Sequence, residues 1–272
     1  MTFAIEMSSQ PSAPPSQPSA PPSHPPTLSG ILRALLEADL AVQLRNGRAL
    51  LLTFFPPLAV FYGLSTAKRG AQLGGAIVNV ALALTLGIAL IAILGYTASV
   101  ARDRELGVFQ RLRVTPAPTW AIMVSRLALQ ILSMLAMSVV VLVAAAVVEN
   151  VRLDPAAYLL TLAMVIFSSA VFLGVGQALV GLIKSVDTVN AVGRLSFLPL
   201  VALGLFAHST IFGTTFETIA RWSPGGAVAT LLAGAMQPAA WSADTWWALL
   251  ASVLYAVVFA GIGIRWFQWS TR

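Results

Sequence analysis

GAQLGGAIVNVALALTLGIALIAILGYTASVA, Gly70 to Ala101, lies between Arg69 and Arg102 and contains no Asp, Glu, Lys or Arg. A helix needs about 20 mostly apolar residues to cross a hydrocarbon core roughly 30 Å thick, so this stretch is longer than a crossing requires. Charge-free runs recur between Arg126 and Glu149, Asp154 and Lys184, Arg194 and Glu217, and Asp244 and Arg265. Ala49 to Ser65 is shorter and equally uncharged. Together these runs predict an all-α, polytopic membrane protein with six transmembrane helices. The expected spans begin near Ala49, Gly75, Leu127, Ala156 and Leu195, with the last before Arg265.

Composition agrees. The chain is 58% apolar and 10% charged, where a soluble domain carries about 25% charged residues. Its net charge of +6 then reads as a topology signal, and no nucleic-acid partner is expected. With the start of the chain in the cytoplasm, the inside segments hold Arg33, Arg45, Arg48, Arg102, Arg104, Arg111, Arg113, Arg126, Lys184, Arg194, Arg265 and Arg272. The outside segments hold Lys68, Arg69, Arg152 and Arg221. Twelve against four is a positive-inside bias that places both termini in the cytoplasm of a multi-pass cell-membrane protein. The absence of cysteine excludes disulfides and thiol chemistry. His24 and His208 are the only histidines, and no metal site is expected from them.

Residues 1–26 form a Pro/Ser-rich tail with too few apolar residues to fold, expected as a disordered cytoplasmic extension. Residues 27–48 read as an amphipathic helix. Thr27 or Ser29 can cap it, its apolar positions include Ile31, Leu32, Leu35, Leu36 and Leu40, and it should lie in the membrane interface. Asn46-Gly47 supplies the break before the first span, and residues 49–272 are the six-span domain. Pro56-Pro57 should bend the first span and turn it toward other helices, which can satisfy the freed carbonyls. Residues 209–243 are too apolar for an ordinary loop and are broken by Pro224-Gly225-Gly226. They read as a pair of short re-entrant helices carrying Glu217 and Arg221 at i, i+4 spacing. Trp241, Trp246 and Trp247 would mark the outer interface, Trp266 and Trp269 the inner one.

No phosphate-binding loop, Gly-x-Ser-x-Gly elbow or His-Glu-x-x-His sequence occurs, and no acid sits near the middle of a span. The chain is therefore expected not to be an enzyme. Asn79, Gln130 and Gln177 are uncharged polar residues inside spans, with Thr161, Ser168 and Ser169, and suit either a pathway lining or interhelical hydrogen bonds. Gly174-Val175-Gly176 and Gly261-Ile262-Gly263 suggest close helix packing.

Residues 101–118 are the charged exception, centred on RDRELGVFQRLRVTP, Arg102 to Pro116. On a helix, Leu106, Phe109 and Leu112 give a narrow apolar edge among basic residues. Glu105 near its front and Arg111 and Arg113 near its end would suit the helix dipole, and Pro116 and Pro118 would stop it. Such a segment can lie on the membrane or fit a partner's groove.

In order and spacing, the segment resembles the first cytoplasmic loop of type-2 permeases of ABC transporters. The features are an acid, a Gly two residues on and a later Thr-Pro, here Glu105, Gly107, Thr115 and Pro116; Val108 stands where a Thr is common. The interfacial helix, six spans and ETIARWSPGGAV, Glu217 to Val228 with Pro224, are similar to the same family. The resemblance implies an export permease that pairs with a second copy or a sister permease and is driven by a separate ABC ATP-binding subunit. ATP and Mg would then be held by that subunit, with no cofactor on this chain. It also makes residues 101–118 the coupling loop, with Glu105, Phe109, Arg111 and Arg113 at the ATPase contact. From the residues themselves, a self-contained channel or secondary carrier and a non-transporting membrane scaffold remain open.

Overall fold

A computed structural model describes residues 27–66, 74–108, 119–209 and 213–266. Among these the regular structure is helical, in a 3-10 turn at Pro238–Ala240 and nine longer helices: α1 Leu28–Arg45, α2 Gly47–Thr66, α3 Ala76–Glu105, α4 Thr119–Val148, α5 Pro155–Leu182, α6 Val186–Phe206, α7 Thr214–Trp222, α8 Pro224–Met236 and α9 Ala243–Trp266. Five of them, α3, α4, α5, α6 and α9, are long and apolar enough to cross a membrane. A sixth crossing is added if α1 and α2, which meet at 69°, count as one bent span. The chain is a multi-pass, all-α membrane protein.

Local chemistry sets the boundaries. The Thr27 hydroxyl accepts from Gly30 N at 3.3 Å and opens α1. Along α1, residues 31, 32, 35, 36, 39, 40 and 43 are half-buried, while 33, 34, 37 and 38 are exposed. That is the one-sided pattern expected of the segment, and its inner face rests on α4. Asn46 separates α1 from α2, and α2 runs through Pro56 and Pro57 as one helix packed on α3 and α4. Asp154 caps α5 by accepting from Ala157 N at 3.2 Å, with Pro155 in the first turn.

Two spans start earlier than the sequence suggested. α6 begins at Val186, nine residues before Leu195, because Ser185 caps it, Asp187 suits its first turn, and Val189 and Gly193 are already buried. α4 is helical from Thr119, well before Leu127, and brings Ser125 and Arg126 into its first turns. Likewise α3 continues past Val100 to Glu105. At 1.5 Å per residue, its 30 residues span about 45 Å, so α3 outreaches a ~30 Å hydrocarbon core.

α3 is the central helix. Of its most apolar stretch 72% is buried, against 17% for α6 and for α9. The exposed faces of the outer helices are apolar, with Leu195, Leu198, Leu254 and Val257 all more than 60% exposed, which suits lipid. Trp246 and Trp266, at opposite ends of α9, are both exposed and lie roughly 30 Å apart along it, the thickness of the hydrocarbon core. Trp269 lies outside the described residues.

α5 and α9 pack most extensively, and glycines set their approach. A Cβ on Gly174 would fall 3.3 Å from Ala260 N, and one on Gly263 2.7 Å from Gln177 C. Gly176 presses instead on α3, where a Cβ would meet Ala92 O at 2.8 Å, inside the π-helical turns of Leu90–Tyr96. Gly261 has nothing within 4 Å; close packing therefore explains three of the four paired glycines.

The segment before the last span forms two short helices, α7 and α8. Ser223 joins them, donating to Ala220 O at 2.6 Å and accepting from Gly226 N at 3.0 Å, with Pro224 at the first helical position. α8 then sits inside the molecule against α3, α5, α6 and α9.

Candidate functional site

The helix ends that flank residues 101–118 form a polar junction. Buried positions on α3 run Ile93, Tyr96, Thr97, Val100, Ala101 and Arg104, one face at steps of three and four. Arg104 continues the apolar face and is only 3% exposed. Its guanidinium reaches the C-terminal end of α5, donating from Nη1 to Val180 O at 2.9 Å and from Nη2 to Ile183 O at 2.7 Å and Lys184 O at 3.0 Å. Val180 lies in the last turn of α5 and Ile183 and Lys184 just beyond it, where carbonyls lack intrahelical donors and a cation suits the pole. Arg104 therefore ties the end of α3 to the α5–α6 connection.

A second tie joins α1, α3 and α4. Arg126 forms ion pairs with Asp103 at 3.0 Å and Asp39 at 3.4 Å, and Ser125 Oγ donates to Asp39 at 3.4 Å. Gln43 Nε2 also donates to Ser133 Oγ at 2.7 Å. The end of α3 thus makes direct polar contact with α4, α5 and the α5–α6 connection, and reaches α1 through Arg126. Nothing in the sequence alone pairs Asp39 and Asp103 with Arg126 or Arg104 with α5. The one signal for Arg104 is that it falls on the helical stripe of Tyr96, Thr97, Val100 and Ala101.

Glu105 is the exposed last residue of α3. It therefore stands at the C-terminus of α3, where a carboxylate is disfavoured by the dipole; the helix whose front its sequence suggested would run through residues outside the described ones. Gly107 explains the stop: its φ of 67° lies in the left-handed region, the usual glycine exit from a helix, and its N–H donates to Arg104 O at 3.2 Å. Leu106 beside it is 60% exposed. Phe109, Arg111, Arg113, Thr115 and Pro116 lie outside the described residues.

The polar residues expected within spans are dispersed. Asn79 Nδ2 donates to Glu149 Oε1 at 3.5 Å, near the start of α3. Gln177 accepts from the Tyr96 hydroxyl, joining α5 to the π-helical turns of α3. Gln130 is half-buried on α4. Thr161 and Ser169 return their hydroxyls to carbonyls of α5.

At the opposite end, Glu217, Arg221 and Pro224 are brought together around α7 and α8. Arg221 pairs with Glu217 at 2.5 Å and with Asp244 of α9 at 3.1 Å, and its Nε donates to Ala207 O at 3.3 Å. The trio fastens α7 to the end of α6 and the start of α9.

A family model described as "ABC-2 type transporter" matches residues 31–236, which is more than half of the 272 residues. No curated protein matches the chain in a sequence comparison.

Proposed function

This chain belongs to the ABC-2 type transporter family and is a transmembrane permease component, and we propose that it is the membrane half of an ATP-driven exporter. In this reading it pairs with a second permease copy or a sister chain. A separate ATP-hydrolysing subunit holds ATP and Mg and docks on the cytoplasmic end of α3. The positive-inside bias supports placing that end, and both termini, in the cytoplasm of the cell membrane.

The observation that carries the proposal is the end of α3. There an exposed carboxylate and an exposed leucine, Glu105 and Leu106, stand beside a glycine-forced exit. Arg104, next in the chain, is buried and tied to α5. An acid retained at the unfavourable pole of a helix gives up about 0.3–1 kcal/mol, and a basic groove on a partner would recover it. Push or pull on the docked segment would pass through Arg104 to α5 and α6, and through Asp103 and Arg126 to α1 and α4.

The filling of the interior supports a pathway between two permeases over a pore through one. Leu84, Ile88, Met134, Met137, Phe172, Leu231 and Leu232 are fully buried, so side chains occupy the middle of the single chain.

Replacing Glu105 and Phe109 together by alanine should leave the chain in the membrane. ATP-dependent substrate efflux from vesicles holding the complete transporter should fall about thirtyfold, the loss of ~2 kcal/mol expected at interface anchors. Unchanged efflux overturns the assignment. Flux through the chain alone, without nucleotide, would establish a self-contained channel instead.

A further inference from the structure

At the α7–α8 end, a cavity of about 400 Å³ lies between the start of α3, α8 and the start of α9. Its polar lining includes His208, Arg221, Thr230, Gln237, Asp244 and Thr245. A second cavity of about 180 Å³ shares Arg221, Thr230 and Asp244 with it and is otherwise lined mainly by Trp222, Trp247, Ala248 and Ala251. A polar chamber thus adjoins an apolar slot, and the first cavity alone falls within the ~300–1,000 Å³ range of small-molecule sites. Two buried atoms of the lining residues, His208 Nε2 and Thr230 Oγ1, have no hydrogen-bond partner among the described residues. Buried polar groups are seldom left so, and a bound water or ligand would satisfy both.

The charges select what fits. Arg221 is the only cation among the described lining residues, and it is already engaged by two carboxylates, Glu217 and Asp244. The trio therefore carries one net negative charge, with Asp244 lining both cavities and Glu217, which lines neither, held on Arg221. Burial, and then the Arg221 cation, lower the pKa of His208 below the ordinary imidazole value, with Glu217 opposing; the ring is neutral near pH 7. What remains free is the Nε2 of the neutral His208 ring, the Thr230 hydroxyl, which can accept as well as donate, and the unshared Asp244 carboxylate oxygen, an acceptor only. A phosphate or carboxylate head would meet net repulsion there. An ammonium or hydroxyl would not, and Trp222 and Trp247 offer faces for the attached apolar group.

We propose that these joined cavities are a binding site for an amphiphile whose small head donates hydrogen bonds, an amine or a hydroxyl, with its apolar part in the slot between α7 and α9. The site does not depend on which subunit drives the permease, so its test is separate from that of the exporter reading.

The test uses the full chain in nanodiscs of zwitterionic lipid, titrated with hexylamine, hexanol and hexyl phosphate, with tryptophan fluorescence and the melting temperature read together. Hexylamine and hexanol should give saturable responses and hexyl phosphate none. Thr230→Val should weaken both bound probes about fivefold, as loss of one neutral hydrogen bond does. Asp244→Asn should weaken hexylamine about tenfold while leaving hexanol nearly unchanged, since only the ammonium senses the lost charge. Ala251→Trp, which fills the slot, should block both probes, and it keeps the test informative if either polar substitution unfolds the chain. Unsaturable responses to all three probes, indifferent to every substitution, would mean a water-filled cavity and overturn the site. Preferential binding of hexyl phosphate would overturn the charge argument and with it the proposal.

Discussion

Gly226→Ala is expected to remove nearly all correctly folded protein from the membrane. A Cβ at that position would lie 2.0 Å from Ala220 O and 2.9 Å from Arg221 Cα, backbone atoms of the helix immediately before it. Neither side can yield by a rotamer change. The strain would have to move α8, which is buried against four spans. Overpacking a core costs about 1–3 kcal/mol when side chains give way, and a backbone collision at the centre of the bundle should exceed that. Gly225→Ala meets Leu200 O at 2.1 Å and should behave alike. Gly261→Ala, in open space, is the matched control and should leave the melting temperature within a degree or so of wild type, as exposed substitutions do. Fluorescence-detected size-exclusion chromatography after a heating series reads all three.

The second large effect is expected from Arg104. Arg104→Ala strips three carbonyls at the end of α5 of their donor and removes a side chain packed in the interior. Hydrogen bonds to a charged group contribute about 1.5–3 kcal/mol, so a destabilisation of about 3 kcal/mol is the expectation. Arg104→Lys keeps the charge but replaces a planar fork by a single ammonium, and it should recover only part of the loss. Under the proposed mechanism the readout is also functional. In complexes that survive, ATP hydrolysis should continue while transport per ATP falls, because the contact carrying movement from α3 to α5 and α6 is gone. Arg102→Ala, on the exposed side of the same turn, should change neither quantity appreciably.

The contrast between Arg102 and Arg104 shows what was legible in the sequence. Charge-free runs placed the spans, because an apolar helix of bilayer length has few other uses. They could not place the ends of α3, α4 and α6, where helices continue through charged or polar residues. There the charges have tertiary partners: Arg104 on α5 carbonyls, Arg126 between Asp39 and Asp103. Charge alone marked RDRE as a loop; burial of every third or fourth residue makes it the end of α3. The Asn46-Gly47 and Pro224-Gly225-Gly226 breaks were readable because both act locally, through turn chemistry, whereas the Ser223 cap on α8 emerges only from the structure. Gly107 stands at the spacing of the family loop, and its positive φ is the physical reason for a glycine there. His208 and Thr230 carried no sequence signal, since their significance lies in what they fail to bond.

The central claim, that the end of α3 docks an ATP-hydrolysing subunit, is tested most directly by gentle affinity purification of the tagged chain from its native membrane. The account predicts a roughly equimolar ABC ATPase with the wild-type chain, lost when Glu105 and Phe109 are both replaced by alanine while the permease itself is recovered intact. Recovery of the permease without any ATPase, where a control ABC complex survives the same treatment, would contradict it, as would an ATPase retained equally by the double variant.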